Sequence, residues 1–553
     1  MRHDTGLNSQ LLSIAKKPLR RLLHCLPPAV LALPILTALL FVAFYNTGMP
    51  LTDEWAFTKS IMALENIDKR GTEWLGEVLK IAPWRFSDHW VAVPFLIYWL
   101  LAGLTHFNST VFIVITLATF TAQLAIYRRY IVPSTAAVLP IALVLFSPAH
   151  YMELLWGFQF TLALSIIFPM TGLLILDRVY SDDSWLLGFA KLASALTLFV
   201  LGTLSSSGGF FGLPVAAVVF WLKQGTVRSR LVGSGTFVLM STIVYFTLMN
   251  RFSHDIKVDM PDTFHVLTAL GGTIWGTPVG IFEFGPGLLS ATGAVILACL
   301  VFSVARAYKT GQLPAIALPL AFALFGLLCL AAIAVRRHYL GNWHLQYALP
   351  SVCGTFACAY IVRKRDRSAF TIAAYVILYV TLSLSLVGYY RGFAEYGPSY
   401  YGYIDSIENY ALRHLEEPDL AKPFPKAWEI GADVVLFLAA QEHPLLRRIP
   451  PRHFESKAVG ARIFVDGVQP VVSPDRTVSL LGPNRKRMRI TVALANAKGR
   501  IVVQIGDLLL PLFRLHPLHT GIVACAETPC YAGIVLPERL PAGLHPVTVW
   551  LTD

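Results

Sequence analysis

Runs of about 18 to 22 consecutive apolar residues recur along this chain, each long enough to carry a helix across a bilayer core of roughly 30 Å. No water in that core satisfies an open backbone, so each run has to be helical. Candidate spans fall at 28–46, 109–127, 135–148, 158–176, 187–204, 208–222, 231–250, 285–306, 314–334, 342–362 and 369–389, about eleven in all. Composition agrees. Of 553 residues, 55% are hydrophobic and 14% charged, with a mean hydropathy of +0.59, whereas a soluble domain carries about 25% charged residues.

A formal net charge of +12 could suggest nucleic acid, but its distribution argues against that partner. The basic residues sit in short segments between apolar runs, where cytoplasmic loops carry them. Arg2, Lys16, Lys17, Arg20 and Arg21 precede the first run, no small-residue cleavage site follows it, and more spans come after. The first helix therefore reads as uncleaved, behind a basic cytoplasmic tail at 1–27.

Loop charges set the expected orientation. Arg128 and Arg129; Lys223, Arg228 and Arg230; Arg306 and Lys309; and the run Arg363, Lys364, Arg365 and Arg367 should all be cytoplasmic. Loops 148–157 and 205–208 carry no Lys or Arg. This alternation works if the apolar segment from Trp90 to Leu104 lies on the membrane face and does not cross; the alternative is an ordinary span there with one basic loop misplaced. With the segment not crossing, residues 46–108 form one long periplasmic loop within a transmembrane domain at 28–390. Everything after Tyr390 is periplasmic: a linker with a helical piece at 391–457, then 458–553. In that last region alternating runs such as Ala461–Val465, Met488–Ala495, Arg500–Gln504 and Val547–Leu551 are separated by Gly- and Asn-containing turns, a β-sandwich-like pattern. The expected fold class is thus an α-helical polytopic protein of a bacterial inner membrane with a C-terminal periplasmic β-rich domain. Of seven cysteines, Cys525 and Cys530 lie in that domain, where an oxidising compartment allows a disulfide and two free thiols are the alternative. No metal-ligand spacing appears.

In such a chain, function shows where polar residues persist against an apolar background. Four clusters stand out, all on the expected periplasmic side. Asp53 and Glu54 open the long loop, where a carboxylate can act as general base or simply end a helix. Asp88 and His89 precede the apolar segment 90–104, whose Trp90, Tyr98 and Trp99 suit an interfacial depth; His89 can donate to a phosphate or act as an anchor. Glu153 and Gln159 fall in and just after loop 148–157, as substrate contacts or as a capped turn. Arg336, Arg337, His338 and Tyr339 place paired arginines in a loop that should be poor in them, and guanidinium forks match phosphate geometry; lipid-headgroup contact is the alternative. Span interiors read as almost free of charge, which argues against a proton-coupled transporter.

The order of one helix, a long loop opening with an acidic pair, a segment of the form Pro94…Tyr98-Trp99-Leu100, a span ending in Arg128-Arg129 and one ending in Phe146-Ser147-Pro148 resembles the GT-C superfamily of integral membrane glycosyltransferases. Its protein O-mannosyltransferase and aminoarabinose-transferase branch is the nearest in pattern. The segments Asp88-His89, Glu153…Gln159 and Leu204–Gly208 also look like an uncharacterised bacterial membrane family of this kind. The likeness covers roughly residues 28–210, with weaker support at 336–347. It departs from the aminoarabinose-transferase pattern in having Val93-Pro94 where Lys-Pro-Pro stands, and in lacking Arg-Pro-Asp in the second periplasmic loop.

The resemblance implies an inverting glycosyltransferase. Its donor would be a polyprenyl-phosphate sugar and its acceptor a cell-envelope glycan or lipid, with membrane lipids around it and no nucleic acid. Asp53 or Glu54 would be the base and no organic cofactor is implied, while a divalent metal is left open. The rival expectations are a lipid-linked glycan transporter or flippase, which predicts internal repeats and charged span centres, and a non-catalytic envelope assembly protein.

Overall fold

The computed structural model describes residues 29–48, 50–51, 53–65, 74–82, 84–86, 89–179, 184–223, 225–249, 263–276, 285–337, 344–401, 432–441, 443, 456–457, 461–465, 477–480, 488–495, 500–506, 508–515, 528–535 and 543–552. The chain divides into two compact units. One comprises 1–45, 85–94 and 113–400; the other comprises 46–84, 95–112 and 401–553.

The first unit is helical and makes this a multi-pass membrane protein. Among the described residues nine helices are long and apolar enough to cross a bilayer: Thr110–Ile131, Thr135–Leu155, Gly157–Asp177, Leu186–Ser205, Val227–Leu248, Pro286–Lys309, Leu313–Val335, Leu345–Arg365 and Ala369–Tyr401. Two more expected spans are helices of fewer residues, Ala29–Tyr45 and Ser207–Leu222. The segment read as non-crossing is the helix Ala92–Leu104, whose 13 residues fall short of the about 20 a span needs. A further apolar helix, Thr263–Trp275, lies where only a loop was expected.

The helix Leu345–Arg365 is the most enclosed of the nine, and Val227–Leu248 the least. Small residues allow its enclosure. A Cβ on Gly354 would come within 2.6 Å of the Pro319 carbonyl, and one on Gly326 would overlap Ser351 and the Tyr347 carbonyl. The helices Leu313–Arg337 and Leu345–Arg365 therefore meet nearly backbone to backbone, the close approach that small residues permit between helices in lipid.

One end of this unit gathers the basic residues. Lys223 donates to the carbonyls of Leu176 (3.0 Å), Val179 (3.2 Å) and Asp177, an ammonium on the negative end of the helix Gly157–Asp177. Arg306 pairs with Asp366. That bond, with the Ser368 N–H at 3.0 Å, holds the Asp366 carboxyl below its ordinary range. Arg178 lies over the Tyr130 ring at 4.0 Å and Arg363 over Tyr375 at 4.3 Å.

The other end is built differently from expectation. Residues 148–157 were read as a loop, and they are mostly helical and largely buried: a turn Pro148–His150, a short helix Tyr151–Leu155 and a turn Gly157–Gln159. Ser147 accepts from the Ala149 N–H at 3.3 Å and Pro148 takes the first position, so the chain re-enters helix where a solvated loop was expected. The Ser205–Gly209 connection is just as tight, because a Cβ on Gly209 would overlap the Gly202 carbonyl carbon. A two-residue hairpin, β1 (Arg85–Phe86) and β2 (His89–Trp90), belongs to this unit. Arg85 lies over the Trp90 ring at 4.4 Å, and Trp90 donates from Nε1 to the Leu248 carbonyl at 2.9 Å.

The second unit joins the first long loop to the C-terminal region, which had been read as separate segments. The base of the loop is tied shut: Asn46 Nδ2 donates to Thr110 Oγ1 at 2.7 Å, and Ser109 N–H to the Gly48 carbonyl at 2.8 Å. The helices Asp53–Glu65 and Ala432–Ala440 are in contact. His106 and Phe107 adopt left-handed φ of 51° and 59°, which costs non-glycine residues about 1–3 kcal/mol each. Burial of Phe107 against Tyr98 and Phe437, at centroid distances of 6.5 and 5.4 Å, offsets that strain. His443 meets the Gly48 carbonyl at 3.2 Å from Nε2.

The C-terminal region holds strands β3 (Ser456–Lys457), β4 (Arg462–Val465), β5 (Thr477–Leu480), β6 (Met488–Ala493), β7 (Arg500–Ile505), β8 (Leu508–Leu515), β9 (Cys530–Val535) and β10 (Gly543–Thr552). Their order is β3-β10-β7-β8-β9-β6-β4, with β5 also on β10, and all pairs are antiparallel. Residues Leu508–Leu512 of β8 pair with β7, while Phe513–Leu515 pair with β9. The sheet thus bends at β8 around one core that includes Ile490, Val492, Ile501, Val503, Leu510 and Val549. Alternation puts Ala493 on the other face, with Phe464 and Cys530. Cys530 is disulfide-bonded; Cys525, its expected partner, lies outside the described residues.

Two outcomes follow for the purified protein. Gly209→Ala drives a methyl into backbone that has no rotamer to yield, so it should lower the melting temperature by an amount equivalent to about 1–3 kcal/mol. Gly76→Ala meets open space and should stabilise by about 0.5–1 kcal/mol. Burial also holds the His443 imidazole down to about 4, against about 6.5 when unfolded. The second unit should keep its full stability above about pH 6.5 and lose it progressively as pH falls toward 4. His443→Gln should flatten that dependence in a limited-proteolysis titration.

Candidate functional site

Each unit carries its own polar constellation. In the second unit it is built on the first turn of the helix Asp53–Glu65. Glu54 is fully buried. Its Oε2 accepts from the Leu51 N–H at 3.1 Å and its Oε1 from the Ser109 hydroxyl at 2.7 Å. Its carbonyl accepts from the Thr58 hydroxyl at 2.9 Å, and that hydroxyl lies 3.1 Å from the buried Tyr98 hydroxyl. Glu54 therefore locks the helix start to the loop base. Asp53, one residue earlier, is partly exposed. The two acids differ because neighbours on a helix point about 100° apart, so one lies inside the unit and the other at its surface.

In the first unit the constellation begins at the hairpin. His89 is half-buried, and its Nδ1 lies 2.7 Å from Ser207 Oγ and 3.5 Å from Ser206 Oγ. The Tyr347 hydroxyl donates to Ser206 Oγ at 3.0 Å and also lies 3.0 Å from Ser165 Oγ. A chain of hydroxyls thus runs from the hairpin through the Ser206-Ser207 turn and the helix Leu345–Arg365 to the helix Gly157–Asp177. Gly208 makes room for it, since a Cβ there would overlap the Tyr347 phenol.

Beside Tyr347, the buried Glu153 carboxyl faces the N–H of Gln346. No hydrogen bond closes on either of its oxygens among the described residues, and the same holds for both ring nitrogens of His150, the Gln159 carbonyl and both amide atoms of Gln346. Next to this end a fully buried Arg391 donates from Nε to Glu395 at 3.2 Å and from Nη1 to the Trp275 carbonyl at 3.1 Å. Backbone contact joins the two regions: a Cβ on Gly392 would overlap Pro148.

The structure thus brings His89 to Ser206 and Ser207, and Glu153 to Gln346 at the head of the helix that carries Tyr347. Asp53 and Glu54 belong to the other unit. Asp88, His338 and Tyr339 lie outside the described residues. Arg336 and Arg337 end the helix Leu313–Arg337, with side chains outside the described set. No group of three or more metal-ligating side chains occurs among the described residues.

Sequence reasoning passed over Tyr347, Arg391 and Glu395. The last two carried a usable signal, an arginine and a glutamate at i and i+4 inside an apolar run. Together with Glu153, within the candidate span Thr135–Leu155, they correct the reading of span interiors as nearly free of charge. Tyr347 carried no signal, because a single tyrosine in a span is ordinary.

Loss of one acceptor oxygen at Glu54 strands either the Leu51 N–H or the Ser109 hydroxyl. Glu54→Gln should cost about 1–3 kcal/mol, seen as a lower melting temperature. Tyr347→Phe should destabilise by a similar amount and make His89 more reactive to an imidazole-acylating reagent, read by mass spectrometry.

No family model, no curated protein and no solved structure matches this chain.

Proposed function

We propose that this protein is a membrane glycosyltransferase, moving a sugar from a polyprenyl-phosphate donor to a cell-envelope glycan or lipid. The observation that carries the proposal is the placement of the acidic pair on the first turn of the helix Asp53–Glu65. Glu54 is consumed in holding the loop base, and this anchors Asp53, partly exposed, on the first turn of a rigid helix. A general base needs that combination of fixed position and access to the acceptor proton. Lipid-phosphate glycosyl transfer asks little else of the protein beyond positioning and stabilisation of the leaving phosphate.

In this reading Asp53 is the base and the bond broken joins the anomeric carbon to the lipid phosphate. The acceptor hydroxyl or amine attacks from the opposite face, which inverts the configuration, and the acceptor proton passes to Asp53. His89, beside Ser207, is the proposed contact for phosphate oxygens. Arg336 and Arg337, with His338 and Tyr339, are the further candidates for the phosphate. The fold would be GT-C-like, with eleven crossings in a bacterial inner membrane, the N-terminus cytoplasmic and the bent C-terminal sheet a periplasmic sandwich-like domain. The basic end of the helical unit supports that orientation, since cytoplasmic loops collect Lys and Arg.

Two measurements test this. Asp53→Asn should insert and accumulate normally yet lower transfer by about 10²–10⁴-fold, scored by mass spectrometry of envelope glycans and lipids against a deletion strain. Near-normal products from Asp53→Asn would remove the base, and an unchanged envelope in the deletion strain would remove the activity. An alkaline phosphatase fusion after Asp553 should be active, and one on a chain ending at Arg365 inactive. The reverse pattern would overturn the orientation.

A further inference from the structure

We propose that Glu153, Gln159 and Gln346 form the subsite for the sugar ring of the donor, a neutral polyhydroxylated group, and that the donor phosphate is bound elsewhere; this rests on the glycosyltransferase reading above. The three side chains are 1%, 1% and 0% exposed. Glu153 closes the broken helix Thr135–Leu155, Gln159 ends the turn that follows, and Gln346 opens the helix Leu345–Arg365. The Glu153 carboxyl faces the Gln346 N–H, and the short helix and turn bearing Glu153 and Gln159 pack on each other.

Native interiors pair more than about 90% of their buried polar groups, and each one left unpaired costs about 1–3 kcal/mol. Here both carboxylate oxygens, the Gln159 carbonyl and both ends of the Gln346 amide are unpaired among the described residues. Neighbouring turns of one bundle end thus concentrate that cost, which an occupant would remove.

The chemistry of the set restricts the occupant. Its free capacity combines oxygens of the Glu153 carboxyl and two amide carbonyls with the donor N–H groups of the Gln346 amide. Sugar hydroxyls donate and accept together, and so can satisfy all of these. A phosphate would find no cation among these three side chains, and the buried guanidinium at this end, Arg391, is already engaged by Glu395 and the Trp275 carbonyl. The described residues also hold too few carboxylate, imidazole or thiolate groups together for a metal cage.

The test uses the full-length protein in nanodiscs. Its probes are decaprenyl phosphate and the same lipid phosphate bearing glucose, mannose, arabinose or N-acetylglucosamine. The parent should bind at least one glycosylated lipid about 10-fold or more tighter than bare decaprenyl phosphate, as one or two additional buried hydrogen bonds allow. Glu153→Gln and Gln346→Ala should bring that ratio near one while leaving bare-lipid binding unchanged, which also reports that the variants are folded. If Glu153→Gln does not fold, Gln159→Ala and Gln346→Ala carry the same comparison. A ratio preserved in the folded variants would mean that the cluster holds ordered water only, and would overturn the inference. Equal binding of bare and glycosylated lipids by the parent would overturn it too, while sparing the donor-lipid reading. A parent that binds none of the probes would bring down the glycosyltransferase reading and the inference with it.

Discussion

The polar end of the helical unit depends on how closely backbone can approach backbone at three glycines. Gly202 and Gly209 touch without side chains between them, and Gly208 leaves the space that the Tyr347 phenol fills. Only at that separation does Tyr347 reach Ser206 and Ser165, and only then do Ser206 and Ser207 stand within reach of His89. Polar groups in a bilayer have to find partners within the protein, so a small loss of proximity here strands several hydroxyls at once. The same logic explains why Arg391 is tolerated without exposure: Glu395 and a helix-terminal carbonyl supply what water cannot.

The first long loop obeys a different economy. Its ends are stitched by Asn46, Gly48, Ser109 and Thr110, and Glu54 turns that stitch into a platform. A buried carboxylate with two donors is costly to assemble and costly to disturb. It gives the following helix a defined start and leaves Asp53 at a defined place. The C-terminal region completes the same unit, since the helix Ala432–Ala440 meets the helix Asp53–Glu65 and Phe437 packs on Phe107. A domain that looks in sequence like an appendage is thus part of what steadies the acidic pair.

Much of the architecture was legible beforehand. Every expected span corresponds to a helix, the segment read as non-crossing is a helix of 13 residues, and alternating residues marked the strands around Ile490–Val492 and Ile501–Ile505. The misses share a cause. Loop 148–157 was assigned from its polar residues and lack of positive charge, yet Glu153 is buried beside Gln346 of the helix Leu345–Arg365, almost two hundred residues away. The helix Thr263–Trp275 was overlooked because its apolar run is short. Tyr347 was invisible because nothing local distinguishes a partnered polar residue from an unpartnered one.

The sequence by itself determined that this chain crosses a membrane many times, which loops gather positive charge, and that its end is β-rich. These are properties of composition and period, set by the cost of exposing backbone to hydrocarbon and by the two-residue repeat of a strand. Tertiary structure alone decided that Glu54 of the Asp53-Glu54 pair is buried and that the first loop and the C-terminal region are one body. It alone placed Glu153 beside Gln346, and His89 beside the serines that precede Gly208. Each of these turns on a contact between residues far apart in the chain, and pairings of that kind leave no imprint on local pattern.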